Sequence, residues 1–148
     1  MKDTSINTLR IENQLCFPLY TASREVIRQY DPFLKKLDLT YTQYLVMLVL
    51  WEEKEMNLKD LGNILYLDSG TLTPLLKKME VKGYLLRQKD EGDARNLIVT
   101  LTEKGSRLKE QAKEIPEQIA DCLKLQPEEA KTLYHLLYQI IHQLETES

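Results

Sequence analysis

The residues of this sequence most able to do chemistry are its two cysteines, Cys16 and Cys122. Only a thiolate reacts quickly with oxidants, so a reactive cysteine needs surroundings that stabilise negative charge. Cys16 lies near the beginning of a predicted helix, where the helix dipole favours an anion. Tyr20 follows one helical turn later, within reach of the thiol. The alternative for Cys16 is a buried structural thiol, since free cysteines often fill protein cores.

Two further tyrosines, Tyr30 and Tyr41, follow the first cysteine along the chain. Tyr30 comes fourteen residues after Cys16, on nearly the same helical face but about 21 Å further along the axis. A straight helix therefore keeps Tyr30 away from the thiol of its own chain. In a two-fold dimer with antiparallel first helices, Tyr30 and Tyr41 could instead approach the partner subunit's Cys16.

Composition is typical of a globular protein and excludes several functional classes. The 148 residues suit one domain, and 43% are hydrophobic while 29% are charged. The longest apolar run, residues 44–51, is too short to span a bilayer, and the N-terminus lacks an apolar signal core. We therefore expect a cytoplasmic protein with no membrane partner. Two cysteines cannot form a disulfide scaffold or a four-ligand zinc site, so no metal or cofactor is expected.

Charge is unevenly distributed, although the net charge is only −3. Residues 1–58 carry 7 basic and 8 acidic side chains, and residues 114–148 carry 2 and 7. Residues 59–113 carry 11 basic and 8 acidic side chains, a balance of +3. Only this middle segment is suited to meet a phosphate backbone.

The elements that position the tyrosines are two predicted helices. The first extends from about residue 9 to residue 37, with an apolar face wide enough to pack on a partner chain as well as on the core. Asp31–Pro32 is expected to break or kink it. Thr40 is predicted to cap the next helix, a buried one over residues 44–51.

The middle of the chain predicts helix, turn, helix and then a hairpin. Asn57 caps a short helix over residues 58–65, and a second helix begins near residues 68–71. Strand-like segments over residues 84–88 and 95–101 flank a polar turn. After the hairpin, Thr102 is predicted to cap one long helix that continues towards the second cysteine, with a kink at Pro116. A last helix is expected to open at Pro127.

The second helix of this unit would enter the major groove if the unit binds DNA. Small hydroxyls near its N-terminus can meet base edges or phosphates, and lysines further along add charge contacts. Pro74 has no backbone donor, so this helix is expected to begin at about Thr71. In the hairpin, Arg95 is expected to enter or flank the minor groove, with Asp93 holding its guanidinium. The candidate DNA-binding residues are Ser69, Thr71, Thr73, Lys77, Lys78, Arg87, Lys89, Asp93 and Arg95.

Four sequence runs carry a resemblance to a known family. LDSGTLTPLLKKME at residues 67–80, the pair Asp93 and Arg95, and VTLTEKG at residues 99–105 resemble the MarR family of winged-helix regulators. ENQLCFPLY at residues 12–20, followed by the two tyrosines, is similar to the organic hydroperoxide-resistance repressor branch. Related thiol-based global regulators share this start.

The resemblance implies a fold class that is mainly α with a small β-hairpin wing. One domain would span residues 1–148, with a winged helix-turn-helix over residues 40–105. Residues 1–39 and 106–148 would form dimerisation helices. The implied function is a homodimeric repressor, not an enzyme, that binds a pseudo-palindromic operator in double-stranded DNA.

The resemblance also implies a thiol site built across the dimer interface. An organic hydroperoxide would act as the inducer by oxidising Cys16, and the operator would then be released. The supporting residues would be Tyr20, Tyr30 and Tyr41. Four apolar residues would favour an organic hydroperoxide over hydrogen peroxide: Leu15, Phe17, Leu19 and Met47. The alternative is that these residues belong to the hydrophobic core.

The role of Cys122 has two interpretations. Related repressors include one-cysteine members and two-cysteine members whose late resolving cysteine forms a disulfide between subunits, and Cys122 lies where the second type places it. A sulfenic acid at Cys16 can condense with such a thiol. The bridge needs Cα atoms within about 7 Å, so a helix would have to move. The alternative is that Cys122 is a bystander.

Two rival functions also stay open. A MarR-type dimer could respond to a small aromatic ligand without any redox chemistry. A thiol peroxidase could use both cysteines, but the sequence lacks the βαβ pattern of thioredoxin-like peroxidases. It also has no evident arginine or histidine beside Cys16.

Overall fold

The computed structural model describes residues 8–146, except the side chain of Thr146. Residues 1–7 and 147–148, which belong to the predicted dimerisation segments, lie outside the described residues. The chain divides into two compact units, with the boundary between residues 115 and 116.

The first unit opens with a short 3-10 turn, Ile11–Asn13, and helix α1, Cys16–Lys35. The helix therefore begins at the cysteine and not at residue 9. It also continues through Pro32, so the proline does not end it. A proline this close to the C-terminus removes one backbone hydrogen bond and leaves the earlier turns intact.

Helix α2, Tyr41–Glu53, is the central helix of the first unit. Its predicted cap is confirmed: the Thr40 hydroxyl accepts a hydrogen bond from the Gln43 amide at 3.3 Å, and the Gln43 side-chain oxygen accepts from the Thr40 amide at 3.1 Å. This reciprocal capping box fixes the first turn. The helix buries apolar side chains on several faces, including Met47 and Leu50, which are fully inaccessible.

Helices α3 (Leu58–Leu65) and α4 (Ser69–Val81) form the helix-turn-helix. Asn57 caps α3 as predicted, and Asp68 caps α4 by accepting a 2.7 Å hydrogen bond from the Thr71 amide. Helix α4 therefore begins at Ser69, within the predicted range of residues 68–71 and two residues before the start that Pro74 suggested. Pro74 costs only the bond to an early, exposed carbonyl, because the aspartate cap already holds the first turn.

Three short strands form an antiparallel sheet in the order β1-β3-β2. Strands β2 (Leu85–Lys89) and β3 (Leu97–Leu101) are the predicted hairpin, with Leu85 opposite Leu101. The sequence analysis missed β1 (Glu55–Asn57), which pairs with the other side of β3. The fold class is mainly α with this small sheet, as predicted.

Helix α5, Glu103–Ala112, contacts α2 and the residues that connect α4 to β2. Thr102 caps it, as predicted, by accepting from the Gly105 amide at 3.0 Å. The carbonyl of Gly105 accepts a 2.9 Å hydrogen bond from the buried Trp51 indole. A Cβ atom at Gly105 would collide with the carbonyl oxygen of Tyr84, so this contact requires glycine.

Helices α6 (Ile115–Leu123) and α7 (Pro127–Thr146) follow, and apart from Ile115 they belong to the second unit. The helix predicted to continue towards the second cysteine with a kink at Pro116 is instead two helices, since α5 ends at Ala112 and α6 begins at Ile115 after a turn. Pro116 cannot donate to the Ala112 carbonyl, but a proline is well tolerated in the first turn of a new helix. Helix α7 begins at Pro127, as predicted. Among the described residues, no helix combines the length and apolar character needed to cross a bilayer.

Candidate thiol site and nucleic-acid interface

Cys16 is the first residue of α1, and it is exposed. The preceding residue, Leu15, provides no side-chain cap for this helix. No cap side chain therefore competes with an anion for the backbone amides of the first turn, where the helix dipole is also favourable. The position suits a cysteine that reacts as the thiolate.

The surroundings of Cys16 on its own helix are apolar and open. Leu15 is 65% exposed, and Phe17 and Leu19 are also exposed. Met47, which the sequence analysis grouped with them, is fully buried because it lies on a core-facing side of α2. Tyr20 is exposed, with the Arg24 guanidinium 5.3 Å from its ring centre.

Three tyrosines from α1 and α2 form a cluster, which we call the tyrosine cluster: Tyr30, Tyr41 and Tyr44. The ring centres of Tyr30 and Tyr41 lie 4.8 Å apart, and Tyr44 lies 5.7 Å from Tyr30. The structure therefore brings the two predicted tyrosines together. Sequence reasoning missed Tyr44, although it follows Tyr41 by three residues and shares its helical face.

Burial raises the pKa values of the three phenols in the tyrosine cluster, which are protonated at neutral pH even at their ordinary pKa. It raises the pKa of Tyr30 to about 12, and the neighbouring Tyr41 and Tyr44 contribute further to this rise. Burial also raises the pKa values of Tyr41 and Tyr44. All three phenols therefore keep their protons at neutral pH and can donate hydrogen bonds to an anion.

Cys16 and Tyr30 lie near opposite ends of the continuous helix α1. Fourteen residues of helix place them about 21 Å apart along its axis, so the structure does not bring them together within one chain. Cys122 is exposed near the end of α6, in the second unit. Within residues 8–146, no three His, Cys, Asp or Glu side chains are grouped to hold a metal ion.

The predicted contacts on α4 lie mostly on its exposed side. Thr73 differs from the others, since it is half-buried and offers less of its hydroxyl to a ligand. The remaining four predicted residues of this helix are exposed: Ser69, Thr71, Lys77 and Lys78.

Arg95 lies in the turn between β2 and β3, and its side chain is 93% exposed. The Asp93 carboxylate accepts from the Arg95 backbone amide at 3.0 Å and from its Nε at 3.4 Å. The aspartate thus orients both the backbone and the side chain of this arginine, as the sequence suggested. Lys89, at the end of β2, is also exposed.

Arg87 is placed differently from the prediction. Its guanidinium lies 3.3 Å from the Glu80 carboxylate, and its backbone amide donates to the same group at 2.8 Å. The side chain is only 19% exposed. Arg87 therefore links the hairpin to α4 and is not an exposed phosphate contact, because its charge is already paired with an acid that the sequence pattern did not reveal.

A groove between α3, the start of α4 and the hairpin adds residues that the sequence analysis missed. Lys59 and Asn63 from α3 and Asn96 from the hairpin line it together with Ser69 and Arg95. Lys59 and Asn63 are four residues apart, a spacing that places them on one face of α3. The groove joins the two predicted DNA-contacting elements into one polar surface.

Comparisons with known proteins give consistent results. The family model described as transcriptional regulator SarA/Rot matches residues 28–112. The organic hydroperoxide resistance transcriptional regulator of Bacillus subtilis (strain 168) is 46% identical over 142 residues, which cover 96% of this chain and 97% of that protein.

Solved structures extend the comparison to the fold. Reduced AbfR bound to DNA is 40% identical, with a TM-score of 0.78 over 93% of this chain and 96% of that chain. A disulfide-formed AbfR structure is also 40% identical, with a TM-score of 0.64 over 90% and 94%. A mutant MarR from E. coli with operator DNA shares the fold at 24% identity, with a TM-score of 0.78 over 85% and 92%.

These matches confirm the resemblance that residues 12–20 and 67–80 carry, and they cover nearly the whole chain. This chain therefore belongs to the MarR family of winged-helix transcriptional regulators, in the branch that includes the SarA/Rot and organic hydroperoxide resistance regulators.

Proposed function

We propose that this protein is a homodimeric DNA-binding repressor that senses organic hydroperoxides through Cys16. The observation that carries the proposal is the arrangement on α1. An exposed thiol begins the helix, and a cluster of protonated tyrosines packs near its other end. The relative from B. subtilis, which is 46% identical, is named for organic hydroperoxide resistance.

A dimer supplies each thiol with the donors that its own chain keeps at a distance. Helix α1 exposes Phe17 and Ile27, and α7 exposes Leu136 and others, so both helices carry apolar surface for a partner. If two α1 helices pack antiparallel about a two-fold axis, each Cys16 meets the tyrosine cluster of the other chain. The thiol site then contains two subunits.

The proposed chemistry is a nucleophilic displacement on the peroxide. The Cys16 thiolate attacks the outer oxygen, and the O–O bond breaks. Sulfur is oxidised to a sulfenic acid, and the peroxide is reduced to an alkoxide that takes a proton from water to become the alcohol. The apolar side chains of Leu15, Phe17 and Leu19 suit a peroxide with an organic substituent.

Cys122 is proposed as the resolving thiol of the partner subunit. Its thiol condenses with the sulfenic acid at Cys16, which forms a disulfide and releases water. The existence of a disulfide-formed AbfR structure at 40% identity supports this step. The disulfide must be reduced before the same Cys16 can react again.

The function is tested with cumene hydroperoxide and an operator duplex selected from a random-sequence pool by the reduced protein. We expect the oxidant to release the duplex in fluorescence anisotropy, with disulfide-linked Cys16 and Cys122 peptides appearing in non-reducing mass spectrometry at the same rate. Cys122→Ser should still release DNA, but Cys16 should then carry oxygen and no disulfide. Release without modification of Cys16, or full modification without release, would refute the proposal.

DNA is proposed to contact the exposed side of α4 and the turn that carries Arg95. Arg95→Ala should weaken binding to the selected duplex by about 1–3 kcal/mol, or roughly 5- to 150-fold. The side chain of Arg95 is exposed and Asp93 fixes its backbone, so the guanidinium is available to a DNA groove. The measurement is an anisotropy titration at several salt concentrations. Arg107→Ala, which removes an exposed positive charge from α5, is the control. Equal effects of the two variants would contradict a specific role for Arg95.

A further inference from the structure

We propose that Lys82 is a positioning residue that couples the tyrosine cluster to the DNA-reading helix α4. Its use in sensing rests on the proposed function, but the coupling itself requires no oxidation. Lys82 directly follows α4, and its side chain is only 25% exposed. It reaches away from the exposed face of α4 and towards the segment between α1 and α2.

The ammonium of Lys82 is held by two acceptors, one in the segment between α1 and α2 and one in the first turn of α2. It donates to the backbone carbonyl of Asp38 at 2.7 Å and to the side-chain oxygen of Gln43 at 3.0 Å. The Asp38 carboxylate lies 3.5 Å away and adds a charge interaction. Because three oxygens surround its ammonium, the half-buried side chain of Lys82 is held in one position. Lys77 and Lys78 on α4 are instead exposed.

Gln43 accepts a hydrogen bond from Lys82, and it is close to two of the clustered tyrosines along α2. It lies between Tyr41 and Tyr44 in the first turn of α2 and is 2% exposed, the one buried polar side chain found in residues 8–146. The oxygen that accepts from Lys82 also accepts from the Thr40 amide at 3.1 Å. A displacement of the first turn of α2 therefore moves the acceptor of Lys82.

Two further hydrogen bonds hold the residues that directly follow α4. The buried hydroxyl of Tyr84, just after α4, donates to the Leu37 carbonyl at 2.9 Å. Lys104 donates to the backbone carbonyl of Lys82 at 2.8 Å. Neither contact involves α2, so Lys82 provides the hydrogen bond from the end of α4 to the helix that carries Tyr41 and Tyr44.

This arrangement predicts a reciprocal effect. If the state of the tyrosine cluster alters the position of α4, then DNA bound to α4 must alter the tyrosine cluster, because coupling between two sites acts equally in both directions. The effect can therefore be sought in the reduced protein, without any peroxide. This separates a failure of the coupling from a failure of thiol sensing.

The test uses 3-fluorotyrosine in the reduced dimer and the selected operator duplex. The ¹⁹F resonance of Tyr41 is assigned with Tyr41→Phe and followed to saturation with DNA. We expect a shift in the wild type, a shift reduced by at least half in Lys82→Met, and recovery in Lys82→Arg, which keeps a donor. Lys78→Met, which removes an exposed lysine from α4, should keep the full shift although its DNA affinity falls.

Two results would overturn the coupling. One is a wild-type protein whose Tyr41 resonance does not respond to saturating DNA. The other is a Lys82→Met protein that binds the duplex and shows the wild-type shift. A merely structural role for Lys82 would lower the melting temperature without removing the DNA-dependent shift, so thermal unfolding of each variant is measured alongside.

Discussion

Replacing Cys16 with serine is expected to abolish the release of operator DNA by cumene hydroperoxide while leaving DNA binding nearly unchanged. Serine keeps a small polar side chain at the exposed start of α1, so binding should stay within about twofold of wild type. Its hydroxyl does not react with peroxides as a thiolate does. In the wild type, oxidation should raise the dissociation constant at least about tenfold, which corresponds to about 1.4 kcal/mol.

Anisotropy titrations before and after treatment with oxidant measure both parts of this prediction. Cys122→Ser is the matched control, since it removes the other exposed thiol and should keep the release. Peroxide-dependent release that persists in Cys16→Ser would mean that another group senses the oxidant. A Cys16→Ser protein that no longer binds the duplex would instead indicate a direct structural need for the thiol.

Gly105→Ala is expected to lower the stability of the first unit more than any surface change. The added methyl group would meet the carbonyl oxygen of Tyr84 and lie 2.9 Å from a methyl carbon of Leu101. Helix α5 would have to move away, which would also strain the hydrogen bond from Trp51 to the Gly105 carbonyl. We expect a loss of about 3 kcal/mol, at the upper end of overpacking costs.

This loss corresponds to a decrease in melting temperature of roughly 6–12 °C for a chain of this size. Circular dichroism at a fixed protomer concentration is the appropriate measurement, because the melting temperature of a dimer depends on concentration. Ser106→Ala, at the next and exposed position of α5, should change stability by no more than about 0.5 kcal/mol. Similar melting temperatures for the two variants would show that α5 does not require glycine at this position.

Local signals explain which parts of the fold could be predicted. Thr40, Asn57 and Thr102 each cap a helix through a residue three positions later, so a short window of sequence contains the whole interaction. The missed strand β1 has only three residues and is defined by its pairing with β3, more than forty positions away. The periodicity of a short stretch of sequence cannot indicate a partner strand at this distance along the chain.

In the candidate site, too, local features could be predicted from the sequence and contacts between distant residues could not. Tyr30 and Tyr41 were recognisable from their type, but Tyr44 was missed. Cys16 was expected near the beginning of a helix, although the predicted start at about residue 9 was seven residues too early. The pairing of Arg87 with Glu80 could not be predicted, because it joins α4 to β2 across a chain reversal. The same holds for the contact between Lys82 and Gln43, whose residues are 39 positions apart.

The bond between Glu80 and Arg87 has a consequence for how the protein discriminates between operators. One carboxylate holds both the backbone and the guanidinium of Arg87, so the hairpin moves together with the helix that reads the major groove. Helix α4 and the hairpin of one chain therefore form a single rigid unit. A half-site that requires a different distance between the contacts of α4 and those of the hairpin should therefore be bound less tightly.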